Sequence, residues 1–185
     1  GFEDLSKLIK QGKTNVAREK AEERLKRSLK QEEYLELHSI IATSYIVSGK
    51  ENEAIPHLYA AVANSNDEAR KKRLLALIHI FENQLDKALS NIREAIDIEG
   101  KTTKNLEILI NIFLQQKKYD EALKILLENP DSDLDQIKAH VLLNTKKYDQ
   151  VTELSDYYLN NEPNNINWLL IKIESKILKM ENDIS

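Results

Sequence analysis

Apolar residues recur along almost the whole chain at the spacing of one face of a helix. In the segment 53–63, one stripe of apolar side chains is spaced by about one helical turn: Ala54, Ile55, Leu58, Ala61 and Val62. The segments 86–98, 106–116 and 166–180 show the same pattern, and short polar breaks separate such segments. The pattern predicts about eleven helices of ordinary length, at 2–11, 14–30, 33–48, 52–64, 67–82, 85–98, 103–116, 119–128, 133–144, 148–160 and 165–180.

The composition agrees with a helical protein and excludes several other classes. The chain has 185 residues but only 4 glycines and 3 prolines, whereas an all-β sandwich or barrel needs turn residues at intervals of roughly ten positions. No stretch approaches the roughly 18 consecutive apolar residues of a membrane-spanning helix, so we expect no transmembrane segment. The chain contains no cysteine, which excludes a disulfide framework and a thiolate metal site.

The charge balance disfavours nucleic acid as a partner. The chain carries 31 acidic and 27 basic residues, which gives a net charge of −4, and nucleic-acid binding relies on an excess of basic residues. The chain begins at Gly1 without an initiator methionine. We therefore expect a fragment of a longer protein.

An internal repeat underlies the helical pattern. Ala54, Ala88 and Ala122 follow one another at intervals of 34 residues. A large aliphatic residue stands four positions after each alanine, and a ring stands nine positions before it: Leu58, Ile92 and Leu126, and Tyr45, His79 and Phe113. Small residues suit places where two helices approach closely, and large residues fill wider gaps. The repeat therefore predicts helices that pack in stacked pairs.

These residues resemble the tetratricopeptide repeat (TPR) family, whose 34-residue unit is a helix–turn–helix with the pattern W-x₂-L-G-x₂-Y…A-x₃-F…P. The segment Ile41-Ala42-x₂-Tyr45…Ala54-x₃-Leu58-x₂-Ala61 matches that pattern well. The resemblance implies an all-α protein with an α-α superhelix, a TPR-like solenoid of about five helix–turn–helix repeats. It implies a single domain over 1–185, with a partial first unit at 1–32, repeats near 35–66, 69–100, 103–130 and 132–163, and a C-terminal capping helix at 165–180.

No constellation of residues predicts catalysis. The four histidines lie in different predicted helices and lack the i, i+4 spacing of paired metal ligands: His38, His57, His79 and His140. We expect His79 to be a core or half-buried residue, because it takes the aromatic place of its repeat. Gly-rich phosphate loops, Gly-x-Ser-x-Gly elbows and His-Glu-x₂-His motifs are absent. We therefore expect a protein that is not an enzyme and has no catalytic residue, metal or cofactor.

Four consecutive basic residues, from Arg70 to Arg73, fall in the first turn of the predicted helix 67–82, where the helix dipole disfavours positive charge. In TPR proteins the first helix of each pair lines the concave face, so the resemblance implies that Arg70 and Arg73 point towards that groove. Two interpretations stay open. The basic residues form either a solvated helical turn or a contact with an acidic ligand.

The predicted helices 67–82 and 103–116 are apolar nearly all round, which is more than packing on neighbouring helices needs. We expect the remaining face to line an apolar concave groove that binds a helical or extended segment of a partner protein. The alternative is a tightly curved array that buries both faces. The candidate groove residues are Ile40, Thr43, Val47, Arg70, Arg73, Leu74, Leu77, Phe81, Ile108, Asn111 and Leu114.

The last predicted helix carries two apolar faces. We expect the larger face to dock on the preceding helices; its residues are Ile166, Leu169, Leu170, Ile173, Ile177 and Met180. The second face consists of Trp168, Ile171 and Leu178. Terminal caps of solenoids normally have a polar outer face, so the apolar excess predicts that the continuing chain, a partner or a second copy covers this helix.

These patterns predict a non-catalytic protein–protein interaction module or scaffold, partly by family analogy. In the first hypothesis the groove holds an apolar partner segment, with the basic residues 70–73 against its acidic flanks. In the second hypothesis the chain is an assembly subunit of a larger homo- or hetero-oligomeric complex, held through its ends and apolar faces. RNA binding, as in pentatricopeptide repeats, is a remote alternative that the negative net charge disfavours.

Overall fold

The computed structural model describes all residues from Gly1 to Ser185, and it is all-helical. Eleven α-helices follow one another through short loops, with a 3₁₀ turn at Ser132–Leu134 and no β-strand. The helices are α1 (Glu3–Lys10), α2 (Thr14–Leu25), α3 (Gln31–Val47), α4 (Glu51–Ala63), α5 (Glu68–Phe81), α6 (Leu85–Glu99), α7 (Thr103–Gln115), α8 (Tyr119–Glu128), α9 (Asp135–Asn144), α10 (Tyr148–Asn161) and α11 (Ile166–Ile184). The predicted all-α class with about eleven helices is confirmed.

Most helix ends lie within two residues of their predicted positions, and two do not. Helix α2 ends at Leu25, five residues before its predicted end, and α11 continues four residues beyond its predicted end, to Ile184. The backbone of Lys30 is already extended (φ −74°, ψ 157°). Leu29 packs against the buried residues of α1, α2 and α3, so this early end of α2 serves a packing contact that local periodicity does not reveal.

A turn between paired helices recurs along the backbone, and three of its occurrences, at Gly49, Asn83 and Lys117, are 34 residues apart. One residue in each turn is left-handed, with φ between 57° and 78°: Gly12, Gly49, Asn83, Lys117 and Lys146. The N–H of Gly49 donates to the Ile46 carbonyl at 3.0 Å, and the N–H of Lys50 donates to the Tyr45 carbonyl at 2.8 Å. These are the hydrogen bonds of a Schellman helix end, and the other four turns have the same pair.

Residues Gly1–Ile108 form one compact unit, here called unit 1, in which neighbouring helices from α1 to α6 pack in chain order. One part of its core lies between α1, α2 and α3, and another lies between α3, α4 and α5. Ala54 and Ala88, two of the repeated small residues, are fully buried. Helix α4 contains Pro56 and continues without a break to Ala63.

Residues Leu109–Ser185 form a second compact unit, here called unit 2. Its core between α9, α10 and α11 contains Leu142, Val151, Trp168 and Ile171. Ala122, the third repeated alanine, is fully buried as well. None of the eleven helices combines the length and the apolar character that a membrane crossing requires.

Candidate functional site

The apolar groove residues predicted on α3 and α5 are mostly covered within unit 1. Ile40 belongs to the core between α1, α2 and α3, and Leu74 belongs to the core between α3, α4 and α5. Leu77 and Phe81 are half-buried and pack against the second of these cores. Unit 1 thus uses these four side chains for its own packing.

The remaining apolar and neutral groove residues are each exposed or half-buried. Thr43 and Val47 are exposed near the C-terminal end of α3, and the Thr43 hydroxyl donates a hydrogen bond to the Ser39 carbonyl at 2.8 Å. On α7, Asn111 is exposed, and Ile108 and Leu114 are half-buried. The exposed members are therefore a hydroxyl, an amide and a single valine.

The basic residues at the start of α5 are largely paired with glutamates of the same unit. Lys71 pairs with Glu68 at 3.3 Å, and Lys72 pairs with Glu94 of α6 at 2.6 Å. The Arg73 guanidinium donates to the Glu99 carboxylate, and burial lowers the pKa of Arg73. Arg70 is half-buried, and its backbone N–H donates to the capping carboxylate of Asp67 at 3.1 Å.

Sequence reasoning missed this pairing between α5 and α6, although a signal was present. Lys72 and Glu94 stand at equal distances on either side of the turn residue Asn83. Residues placed in this way face each other when two helices pack side by side in opposite directions. The basic run is thus balanced locally by acidic residues, which reduces the free positive charge that an acidic ligand would meet.

Unit 1 also brings together two histidines that the sequence spacing had separated. The Nδ1 atoms of His38 on α3 and His57 on α4 lie 3.0 Å apart, and the centroids of the two rings lie 5.3 Å apart. The ring of Tyr45 stacks on that of His57 with centroids 5.9 Å apart, and the Cζ atom of Arg18 lies 3.8 Å from the centroid of the Tyr45 ring. His38 stands eleven positions before the turn residue Gly49 and His57 stands eight positions after it, so symmetry about the turn does not predict their contact.

The environment of this pair favours neutral imidazoles. Burial lowers the pKa of His38, and the neighbouring His57 lowers it further. Burial also lowers the pKa of His57, and the positive charge of Arg18 adds to the effect. No group of three or more histidine, aspartate and glutamate side chains lies close enough to hold a metal ion. Two imidazoles alone do not supply the three or four protein ligands of a zinc site.

In α11, the structure reverses the predicted assignment of the docked face. The smaller face packs on α10: Trp168 and Ile171 are buried, and Leu178 packs partly against them. Trp168 stacks on Tyr158 with ring centres 4.5 Å apart and planes 3° apart. The buried hydroxyl of Ser175 donates to the Tyr148 carbonyl at 2.9 Å. The prediction that the larger apolar face docks is wrong. The smaller face docks because it offers the small side chain of Ser175 and the flat ring of Trp168, which a close helix contact needs.

Two ion pairs along one edge of the docked face hold α11 on α10. Lys172 pairs with Asp156 at 2.6 Å, and Lys179 pairs with Asp149 at 2.7 Å. Helix α10 is in turn fixed to the start of α9, because the Tyr158 hydroxyl donates to the Asp135 carboxylate at 2.5 Å. The orientation of α11 about its own axis is therefore defined by several independent contacts.

The larger apolar face of α11 is left open. Its seven residues are between 36% and 85% exposed, and they run the length of the helix: Ile166, Leu169, Leu170, Ile173, Ile177, Met180 and Ile184. We call this surface the α11 face. Large exposed apolar residues elsewhere lie on separate helices, such as Val16, Tyr59, Ile98 and Leu127. The α11 face is therefore the longest run of exposed large apolar residues on a single helix.

Comparison with known proteins adds no relative. No protein-family model matches this chain, and no curated protein matches it. The TPR resemblance accordingly rests on the repeated residues in the sequence alone.

Proposed function

We propose that this chain is a non-catalytic protein-interaction module that binds its partner through the α11 face. The observation that carries the proposal is the run of exposed apolar residues along one side of a helix whose other side is docked. Single exposed apolar residues are ordinary on protein surfaces, whereas a contiguous apolar stripe is typical of a binding site. This proposal belongs with the hypothesis of an assembly subunit held through its ends.

Binding in a concave groove has weaker support. Leu74, Leu77 and Phe81 contribute to the core of unit 1, and Lys72 and Arg73 already pair with glutamates. A partner segment would find little exposed apolar surface or free positive charge there. The same pairing, together with the net charge of −4, counts against RNA as the ligand.

Affinity capture from native extract tests the proposal with two matched variants. Ile173→Glu combined with Ile177→Glu places two charges in the α11 face, and Val47→Glu places one charge at the predicted groove. All three side chains are at least 50% exposed, so the fold should tolerate the changes. We expect the α11 variant to lose the proteins captured by the unmodified chain and Val47→Glu to retain them. The opposite result would assign binding to the groove, and capture unaffected by the α11 variant would refute the α11 face.

A further inference from the structure

The exposed residues of α11 follow a strict heptad spacing. Steps of four and three residues alternate through Ile166, Leu170, Ile173, Ile177, Met180 and Ile184. A seam with an average period of 3.5 residues is the pattern of a helix that supercoils with other helices. In heptad notation, Leu170, Ile177 and Ile184 take the a positions, and Ile166, Ile173 and Met180 take the d positions. This seam is about 27 Å long at 1.5 Å per residue.

The residues that dock α11 on α10 lie on the side of the helix opposite the seam, so docking leaves the seam exposed. The b, c and f positions are those that lie opposite an a/d seam, and they contain the residues that dock on α10. These are Trp168, Ile171, Lys172, Ser175, Leu178 and Lys179. Helix α11 is already folded and packed against α10. Association through its seam therefore does not carry the entropic cost of ordering a helix.

The charged residues beside the seam indicate which helix fits it. Lys176 occupies a g position and Glu181 the e position five residues later; both are exposed, and neither takes part in the ion pairs of α11 with α10. In two parallel helices in register, a g residue faces the e residue five positions later on the other helix. Two copies of α11 would therefore match Lys176 with Glu181 on both sides of the seam.

The antiparallel arrangement is less favourable for the same residues. To keep all six seam residues paired, two antiparallel copies must be centred at Ser175, so that Leu170 meets Met180 and Ile173 meets Ile177. That alignment sets Glu174 beside Glu174 of the other copy and Lys176 beside Lys176. Like charges at these flanking positions oppose the pairing.

We propose, building on the function proposed above, that copies of this chain associate with one another through α11 in a parallel coiled coil. The apolar seam supplies the affinity, and the flanking charges set the orientation. Isoleucine occupies both a and d positions, a composition that favours more than two strands, and Leu169 at a g position would be covered in such an assembly.

Sedimentation equilibrium of the 185-residue chain tests self-association. We expect the unmodified chain to reach a multiple of its 21.4 kDa mass as concentration rises, and the variant Ile173→Glu with Ile177→Glu to remain at 21.4 kDa. The matched control is Ile98→Glu with Leu127→Glu, at side chains of similar exposure on α6 and α8; we expect it to associate like the unmodified chain. A single 21.4 kDa species of the unmodified chain at every concentration would overturn the proposal.

Charge reversal tests the orientation. Lys176→Glu alone, or Glu181→Lys alone, should weaken association several-fold at low ionic strength, and the double reversal should restore it. An antiparallel assembly would not show this rescue, because neither residue would face the other.

Disulfide trapping tests the orientation independently, since the chain has no cysteine of its own. We expect Met180→Cys to form a disulfide with its own copy under mild oxidation. Trapping only in a mixture of Leu170→Cys and Met180→Cys chains would establish the antiparallel arrangement and refute the parallel one.

Failure of this inference differs from failure of the proposed function. If the chain stays monomeric but captures another protein through the α11 face, self-association is wrong and the proposed function stands. If the chain neither self-associates nor shows capture that depends on the α11 face, both are wrong.

Discussion

The hydrogen-bonded imidazoles of His38 and His57 make one site in unit 1 sensitive to pH. Both rings are half-buried, their Nδ1 atoms are 3.0 Å apart, and Arg18 adds positive charge nearby. Only one of the two nitrogens can carry the proton of the shared hydrogen bond, so full protonation of both rings would remove that bond and create repulsion. The folded chain therefore binds protons here less readily than the unfolded chain does.

This difference predicts a loss of stability in mild acid. Because the folded-state pKa of each histidine lies below 6.5, the unfolded state binds more protons, and the free energy of unfolding decreases as pH falls below 6.5. We expect urea unfolding to show this decrease and His57→Gln to reduce it. His140→Gln, at an exposed histidine outside the pair, is the control for the loss of an imidazole as such. A pH dependence unaffected by His57→Gln would contradict the assignment.

Tyr158 provides a second residue-scale prediction, in the alkaline range. Burial and the hydrogen bond to Asp135 raise the pKa of Tyr158 to about 12. The stability from this protonated hydroxyl is complete below the ordinary tyrosine value of 10 and is lost as pH rises towards 12. We expect a tyrosine that titrates near pH 12 in the ultraviolet absorbance, and we expect this component to disappear in Tyr158→Phe. Tyr157→Phe, at an exposed neighbour, should leave the late titration in place.

The same substitution tests the hydrogen bond at neutral pH. Tyr158→Phe keeps the ring that stacks on Trp168 and removes the hydroxyl, so we expect a loss of about 1 kcal/mol in the free energy of unfolding. Chemical denaturation followed by circular dichroism measures it. Equal stability of the Phe variant and the unmodified chain would mean that the hydrogen bond adds nothing.

At the scale of the helical element, the recurring left-handed turn is the feature that a single substitution can probe. Glycine adopts this conformation easily, whereas a residue with a side chain pays about 1–2 kcal/mol for it. Three of the five turn positions carry side chains: Asn83, Lys117 and Lys146. The turns between α7 and α8 and between α9 and α10 are therefore less stable than their hydrogen bonds would allow.

Glycine at position 117 should accordingly stabilise the protein. We expect Lys117→Gly to raise the free energy of unfolding by about 1 kcal/mol, as measured by urea denaturation. The control is Lys118→Gly, because Lys118 has an ordinary φ of −92° and gains nothing from glycine. A stabilisation that is equal in both variants would point to the lost charge rather than to the backbone.

The elements also show where sequence reasoning succeeds and where it fails. Periodicity located the helices because each must bury a stripe of apolar residues at a 3.6-residue spacing. It chose the wrong docked face for α11, because the number of apolar residues on a face does not indicate which face meets the neighbour. Ser175 and Trp168 decide that contact through close approach and ring stacking, and both effects depend on the partner helix.

At the scale of the whole molecule, composition excluded the all-β classes, since few glycines and prolines leave little room for the turns of a β fold. Contacts between residues far apart in the sequence could not be predicted from composition. The His38–His57 pair and the ion pairs between α5 and α6 join residues on either side of a turn. The pair of Lys72 and Glu94 becomes predictable once the turn residue Asn83 is known, because the turn fixes which positions of the two helices face each other.

Self-association would also couple the stability of the whole molecule to its concentration. If only the folded chain associates, mass action raises the unfolding midpoint as concentration increases. We expect an increase of roughly 2–4 °C for each tenfold rise above the dissociation constant, followed by thermal circular dichroism. The variant Ile173→Glu with Ile177→Glu should show no such increase, and a midpoint independent of concentration in the unmodified chain would argue against association of folded chains.

The stacking of Trp168 on Tyr158 has a practical consequence. Trp168 is the only tryptophan of the chain, and it lies on the docked side of α11, away from the exposed seam. Its fluorescence is a built-in optical reporter of whether α11 remains attached to α10. Substitutions in the seam that release α11 would shift the emission to longer wavelength, whereas those that only prevent assembly would leave the spectrum unchanged. The fluorescence of Trp168 therefore distinguishes variants that lose binding from variants in which α11 has detached.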